Sequence, residues 1–162
     1  MKIAFLIIDV QHQHVRDVPQ SKIDNACEHI NYVSGVLRAA GHPIIHIRDI
    51  EGMTEETADR YEIIEEIVVD PSDLAVNKEY SNAFWKTELE EVLVQQGVEK
   101  LVLAGYAAEH CVLFTYNGAI ERGYSPVLLQ NGLLSRHEDT IAAASRDRNL
   151  ISYPAVEWLA QS

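Results

Sequence analysis

Two patterns of hydrophobic residues alternate along the chain, one typical of buried strands and the other of helices. Short, mainly apolar runs are typical of strands buried on both faces, and they predict strands at residues 2–8, 43–47, 74–78, 101–104, 125–129 and 149–153. Apolar residues at helical spacing predict helices at residues 21–40, 82–95, 111–123 and 135–147, with a short terminal helix from Pro154. Polar segments 11–20 and 51–66 predict loops, the second with a short helix. Strands that alternate with helices indicate an α/β fold with a parallel sheet covered on both faces.

Composition and net charge limit the kinds of partner that this protein is expected to bind. The 162 residues are 47% hydrophobic and 23% charged, as expected of one globular domain covering residues 1–162. The net charge of −12 argues against binding to nucleic acid and against an anionic membrane surface, because both require basic side chains. No apolar run approaches the roughly 20 residues that span a membrane. We therefore expect a protein with neither nucleic-acid nor membrane partners.

The amino-terminal apolar run and the cysteines predict a location. The run is short for a signal peptide and ends in Asp9 without a small-residue cleavage site, so it is better interpreted as a buried strand. The two cysteines, Cys27 and Cys111, are far apart and form no CxxC pair. A reducing, cytoplasmic location is the simpler expectation.

The segment 98–124, VEKLVLAGYAAEHCVLFTYNGAIERGY, carries the strongest functional signal. Its strand ends at Gly105, and after a tight turn Cys111 opens a helix. Such a turn places the first helical residue at the carboxyl edge of the sheet, where open α/β folds bind ligands. The positive end of the helix dipole there would favour the thiolate, so Cys111 is the candidate nucleophile. Cys27 lies on the apolar stripe of its helix and is expected to be buried and inert.

Charged residues also close two other predicted strands. Asp9 follows the first strand, where a buried carboxylate must be paired or take part in chemistry, and Gln11 lies beside it. The alternative is that Asp9 merely caps a turn. Lys78 ends the strand at residues 74–78 and reaches the same edge of the sheet.

Three segments, FLIIDVQ, VNKEYSNAF and LVLAGYAAEHCVLFTYNGAIERGY, contain these residues in this order. They closely resemble the signature segments of the isochorismatase-like cysteine hydrolases, a family that includes nicotinamidases, N-carbamoylsarcosine amidase and ureidoacrylate amidohydrolases. The similarity runs along nearly the whole chain. It implies a three-layer, doubly wound, mostly parallel sheet of order 3-2-1-4-5-6, with Asp9, Lys78 and Cys111 meeting at its carboxyl edge. It also implies a homo-oligomer, because family members commonly form dimers or tetramers.

The residue types suit covalent hydrolysis. Asp9 is the natural base for the Cys111 thiol and can return the proton to the leaving amine, while Lys78 stabilises the negative charge that develops. Attack on an amide carbonyl gives a tetrahedral oxyanion and then a thioester, which water hydrolyses. The resemblance implies that the backbone amides of Cys111 and Ala107 hold the oxyanion, and that the peptide bond between Tyr106 and Ala107 is cis.

The resemblance also bears on the substrate pocket. Gln11, Phe84 and Tyr106 are expected to line it, whereas Trp85 is left open between the pocket and a subunit interface. Relatives commonly have Thr or Ser at the position of Ala108, and often Asp-Ala where this chain has Asn-Gly at residues 131–132. These departures concern the identity of the substrate more than catalysis.

No metal and no cofactor are predicted. Metal-binding nicotinamidases resemble one another in an Asp-x-His segment, which this chain lacks between its first strand and Lys78. His12 and His14 alternate as on an extended segment and could hold a metal, but a solvated loop is the preferred interpretation.

The sequence therefore predicts a cytoplasmic, cofactor-independent hydrolase. It would cleave an amide, ureido or imide-like C–N bond of a small molecule through a Cys111 thioester. Two alternatives remain open. One is vinyl-ether hydrolysis of isochorismate, although members with that activity typically lack the cysteine. The other is a non-catalytic protein that binds a small ligand on the same fold.

Overall fold

A single six-stranded parallel sheet organises the computed structural model, which describes residues 1–161. The strands are β1 Ile3–Ile8, β2 Ile44–Asp49, β3 Leu74–Lys78, β4 Lys100–Tyr106, β5 Ser125–Leu134 and β6 Leu150–Ile151. Their order across the sheet is β3-β2-β1-β4-β5-β6, and every neighbouring pair is parallel. This order confirms the predicted topology.

Helices cover both faces of the sheet. They are α1 His12–Val15, α2 Gln20–Ala39, α3 Leu89–Gln95, α4 Cys111–Glu121, α5 Glu138–Asp147 and α6 Tyr153–Ala160, with a 3-10 helix at Ala58–Tyr61. Buried residues of α2 and α6 share one core cluster, and those of α3 and α4 share the other, to which α5 adds partly buried residues. Within residues 1–161, no helix is both long and apolar enough to cross a membrane.

The position of strand β1 in the sheet explains why its sequence is a continuous apolar run. All six of its residues are buried. Ile3, Phe5 and Ile7 point into the core under α2, while the alternate residues point into the core under α3 and α4. A central parallel strand has no polar face, because helices pack on both sides of it.

The predicted helix at residues 82–95 forms only from Leu89 to Gln95. The preceding residues are turns, in which the Ala83 amide donates to Thr115 Oγ1 and the Phe84 amide donates to Asn82 Oδ1. Side-chain acceptors therefore take backbone donors that a helix would have used. Lys86 has φ 55, which also interrupts helical geometry.

The predicted turn at residues 130–132 lies inside a longer strand. β5 continues to Leu134, but its register against β4 shifts, so that Leu128 lies opposite Leu103 and Leu133 opposite Gly105. Asn131, at this shift in register, has a positive φ of 64. The helix predicted to start at residue 135 begins only at Glu138, and Ser135 instead donates to Glu109 Oε1. The end of β5 is thereby tied to the turn before α4.

A buried charge network joins α2 to the amino edge of the sheet. Asp73 Oδ1 accepts from Arg38 Nε at 2.9 Å, and its Oδ2 accepts from Arg38 Nη2 at 2.8 Å and from His46 Nε2 at 3.0 Å. Burial acts to raise the pKa of Asp73, but hydrogen bonds from Arg38, the Asp70 amide and His46 outweigh it and hold the pKa below its usual range. The carboxylate is therefore ionised and fully committed to structure.

We expect Asp73→Asn to lower the free energy of unfolding by about 2 kcal/mol, because it removes the buried carboxylate that accepts hydrogen bonds from the partly exposed Arg38 guanidinium and the buried His46 imidazole. Urea denaturation measures this change. Asp147→Asn is the matched control, since Asp147 pairs with the exposed Arg146 side chain, and we expect it to unfold at nearly the wild-type urea concentration. Equal midpoints for the two variants would contradict the structural role of Asp73.

Candidate active site

The carboxyl ends of three strands bring the three predicted catalytic residues together. Asp9 follows β1, Lys78 ends β3, and Cys111 is the first residue of α4, which follows β4. Lys78 Nζ lies 2.9 Å from Asp9 Oδ2 and 3.4 Å from Cys111 Sγ. Asp9 and Lys78 are 0% and 2% exposed, whereas Cys111 is partly exposed. A small molecule can therefore reach the thiol, with the ion pair behind it.

The backbone beside Asp9 is shaped by one residue with positive φ and one glycine. Asp9 itself has φ 52, which turns the chain sharply out of β1. Gly105 has φ 116, and a Cβ atom built on it would lie 2.1 Å from the Ile8 carbonyl oxygen. Only glycine allows β4 to approach β1 this closely, directly before the residue that carries the carboxylate.

The turn between β4 and α4 leaves two amide groups available. The bond between Tyr106 and Ala107 is cis, at the position that the resemblance implies. The Ala108 amide donates to the Leu134 carbonyl, and the Ala107 carbonyl accepts from residues 110 and 112. Within residues 1–161, the amides of Ala107 and Cys111 donate no hydrogen bond. Both are therefore free to bind an oxygen atom that develops negative charge next to Sγ.

The electrostatics of the site favour a protonated thiol. Burial and the neighbouring Asp9 carboxylate raise the pKa of Cys111 to about 12, and Lys78 offsets only part of this effect. Burial also raises the pKa of Asp9, against the opposing influence of Lys78. Burial acts to lower the pKa of Lys78, but Asp9 and Cys111 outweigh it and hold the pKa above its ordinary value.

This result corrects the expectation that the helix dipole would make Cys111 a thiolate. The dipole acts on every thiol that opens a helix, but here the negative charge of a buried carboxylate lies close to the sulfur. Near neutral pH the thiol therefore stays protonated, with Asp9 beside it as a carboxylate that can accept its proton. A thiolate formed from a high-pKa thiol is also the stronger nucleophile.

Gln11 does not contact the pocket as predicted. Its side chain is 0% exposed. Its Nε2 donates to the carbonyls of Asp49 and Tyr61, at 2.9 and 2.6 Å, and its Oε1 accepts from the Asp49 amide at 2.9 Å. These bonds occupy the amide group, so Gln11 fixes the segment after β2 against β1 and offers nothing to a ligand.

Phe84 was also expected in the pocket, and it packs elsewhere. Its ring stacks on Tyr124 at 6.1 Å, and the Arg122 guanidinium lies 4.9 Å from its centre. Both partners follow the carboxyl end of α4, whereas Cys111 begins that helix of 11 residues, about 16 Å long. Phe84 is therefore a core residue at the far end of α4. Trp85, left open between pocket and interface, is 53% exposed on the same segment.

Tyr106, the third predicted pocket residue, lies at the site. It is partly buried, and its ring stacks on that of His14 with a centroid separation of 6.1 Å. Burial raises the pKa of its hydroxyl, although Arg136 donates a hydrogen bond to it. The Tyr106 side chain thus lies between α1 and the free amides of Ala107 and Cys111.

A second pair of polar side chains at this edge could not be recognised in the sequence. His14 Nε2 lies 3.3 Å from Asp49 Oδ2, with side chains 22% and 13% exposed. His14 is therefore no solvated loop residue, in contrast to His12, which is 42% exposed and pairs with the exposed Glu65. The sequence did contain a signal for Asp49, because this residue ends β2, the neighbour of β1, and so lies at the same edge of the sheet as Asp9.

Asp9, His14 and Asp49 could in principle hold a metal ion, since each has one ligand atom within 4.8 Å of the others. The Lys78 ammonium, however, already contacts Asp9 at 2.9 Å and would repel a second cation there. The donor set therefore fits a metal poorly, and no step below is assigned to one. The absence of a bound metal stays a prediction.

Comparison with known proteins relates the chain to one family. The family model described as the isochorismatase domain matches residues 3–152. A secreted isochorismatase effector of Verticillium dahliae is 28% identical over 147 residues, which cover 87% of this chain and 77% of the relative. A maleamate amidohydrolase of Pseudomonas putida is 28% identical over 75 residues, which cover 46% of this chain and 35% of the enzyme.

A solved structure shares the fold. The crystal structure of N-carbamoylsarcosine amidase from Thermoplasma acidophilum matches with a TM-score of 0.77 and 20% sequence identity. The match covers 94% of this chain and 95% of that one.

We expect Asp9→Asn to make Cys111 react faster with iodoacetamide, even though it removes the proposed base. The carboxylate raises the thiol pKa and Lys78 lowers it, so the variant keeps only the influence that favours thiolate. Alkylation should accelerate about threefold for each unit by which the pKa falls, because the larger thiolate fraction is partly offset by the lower nucleophilicity of a less basic thiolate. In the wild type, the rate should instead climb without a plateau up to about pH 9, because the pKa is about 12.

Alkylation is followed by intact mass in a Cys27→Ser background, so that only Cys111 is counted. Slower alkylation of the Asp9→Asn variant would show that Asp9 activates the resting thiol, and would contradict the protonated ground state.

Proposed function

Because this chain is a hydrolase of the isochorismatase family, we propose that it cleaves the C–N bond of a small amide, ureido or imide-like compound through a thioester on Cys111. The observation that carries this proposal is the contact of one buried ammonium with both a carboxylate and a thiol, at 2.9 and 3.4 Å. The sequence similarity to an enzyme named maleamate amidohydrolase supports the same class of bond.

The first half of the reaction needs a base, a nucleophile and a site for the oxyanion. Asp9 accepts the thiol proton as Cys111 Sγ attacks the substrate carbonyl carbon, and the carbonyl electron pair moves onto oxygen. The free amides of Ala107 and Cys111 donate to that oxygen. The positive charge of Lys78 stabilises both the thiolate character of the sulfur and the carboxylate before transfer.

The second half restores the enzyme. The tetrahedral intermediate collapses, the C–N bond breaks, and Asp9 returns its proton to the leaving nitrogen. Water then attacks the thioester carbonyl, the C–S bond breaks, and the product acid leaves Cys111 as a thiol. The raised pKa of Asp9 suits both directions of proton transfer, because it makes the carboxylate a better proton acceptor than an ordinary aspartate.

The same contacts disfavour the alternatives. A protein that only binds a ligand has no use for a buried ion pair in contact with a partly exposed thiol, since the burial of both charges is costly. Vinyl-ether hydrolysis proceeds through protonation of carbon and does not require a sulfur nucleophile. Neither activity explains why Lys78 contacts Cys111.

We expect ammonia release from one or more members of a panel of nicotinamide, N-carbamoyl and ureido compounds, together with an acyl adduct visible by intact mass. Cys111→Ala should abolish both signals, because no thioester can form, and Asp9→Asn should reduce turnover roughly 10²-fold or more, because the base is lost. Cys27→Ala is the matched control and should retain wild-type turnover, since Cys27 is buried in the core under α2.

Two results would count against the proposal. One is ammonia release that survives Cys111→Ala. The other is the absence of both ammonia and adduct across the panel with wild-type protein.

A further inference from the structure

His14 lies at the active site without a part in the steps described above. Its ring stacks on Tyr106, the residue that precedes the free amides, and a ring nitrogen lies within 4.8 Å of an Asp9 carboxylate oxygen. Asp49 Oδ2 is 3.3 Å from its Nε2. The imidazole is therefore held between a carboxylate of β2, the carboxylate that follows β1, and an aromatic ring of β4.

The two edges of the imidazole differ in their surroundings. Nε2 is buried, and it lies 3.3 Å from Asp49 Oδ2 without hydrogen-bond geometry. The negative charge of the carboxylate favours the tautomer with hydrogen on Nε2. Nδ1 makes no hydrogen bond with any residue in 1–161 and is not among the buried polar atoms. The open edge of the ring therefore presents a nitrogen with a free lone pair.

The hydrolysis of a thioester requires a base that incoming water can reach. Asp9 is 0% exposed, and its Oδ2 faces the Lys78 ammonium at 2.9 Å. Asp9 lies beside the Cys111 thiol and is well placed for the thiol proton, but solvent does not reach it directly. The His14 side chain is 22% exposed, so solvent reaches it, and one of its ring nitrogens lies within 4.8 Å of an Asp9 carboxylate oxygen.

We propose that His14, oriented by Asp49, is a further catalytic residue that deprotonates the water molecule that hydrolyses the Cys111 thioester. This inference rests on the proposed function. Water donates one proton to His14 Nδ1 while its oxygen forms a bond to the acyl carbon, and the carbonyl electron pair moves onto oxygen. The intermediate collapses with cleavage of the C–S bond, and His14 gives the proton to the departing sulfur.

Asp49 is the positioning residue in this arrangement. Burial acts to raise its pKa, but the His14 contact, the Glu51 amide and the charge of Lys78 outweigh it and keep the pKa below its usual value. It is therefore an anion throughout the catalytic range of pH. The charged and titratable groups around His14 are Asp9 from β1, Asp49 from β2 and Tyr106 from β4, with Arg136 bonded to the Tyr106 hydroxyl.

The test uses p-nitrophenyl acetate, an activated ester that acetylates thiols without any need for the natural substrate. Release of p-nitrophenolate reports acylation, and the loss of the acetyl group from Cys111 by intact mass reports hydrolysis. We expect His14→Gln to acylate at the wild-type rate and to lose the acetyl group roughly 10²-fold more slowly, so that the adduct accumulates. Free imidazole should accelerate this loss in His14→Ala.

Two further variants complete the comparison. Asp49→Asn should slow the same step by a smaller factor and displace its pH profile, because the ring loses its anionic partner. His12→Gln is the matched control, with the same substitution on the same helix at an exposed position, and should behave as the wild type. Thermal melting of each variant verifies that the fold is retained.

The outcomes separate this inference from the proposed function. Acetylation of wild-type Cys111 combined with an unchanged rate of hydrolysis in His14→Gln would overturn the role of His14 and leave the hydrolase intact. Equal slowing of both phases, without imidazole rescue, would overturn it as well and indicate a structural role. A wild-type protein whose Cys111 is never acetylated would overturn both.

Discussion

The ion pair between Lys78 and Asp9 is the constraint on which the arrangement of the site depends. Both side chains are removed from water, and such burial costs several kcal/mol per ion unless each charge is well compensated. The compensation comes from a contact of 2.9 Å that joins the ends of β3 and β1. Loss of either partner would leave an unpaired buried charge, so the pair fixes the relative positions of the two strand ends and of the thiol beside them.

The same pair determines how the thiol behaves. A thiol next to an ammonium alone would be a stable thiolate, and one next to a carboxylate alone would be inert. With both groups in contact, Cys111 stays protonated at rest and has a base already in place. In the proposed mechanism, reactivity is tied to the arrival of a carbonyl group that can take up the charge, and a thiol that stays protonated is less prone to unproductive oxidation or alkylation.

Much of this arrangement could be predicted because it follows from strand ends. Asp9, Lys78 and Cys111 each lie next to a strand, and parallel strands align their carboxyl ends whatever the loops do. The roles of Gln11 and Phe84 could not be predicted in the same way. They depend on which backbone groups lack partners and on where a segment leaves helical geometry, and both are set by tertiary contacts. The contact of His14 with Asp49 could not be predicted because the two residues are 35 positions apart in sequence.

Strand order explains why the site needs a lysine in particular. β1 and β4 are neighbours at the point where the order of strands reverses, so the residues that follow them, Asp9 and Cys111, lie at the same crevice. Lys78 comes from β3, with β2 between it and β1. A long, flexible side chain is required to carry a compact charge past the end of β2, and the carboxylate of Asp49 at that end supports its charge on the way. Asp49, at the end of β2, thus interacts with two neighbours, the Lys78 ammonium and the His14 imidazole.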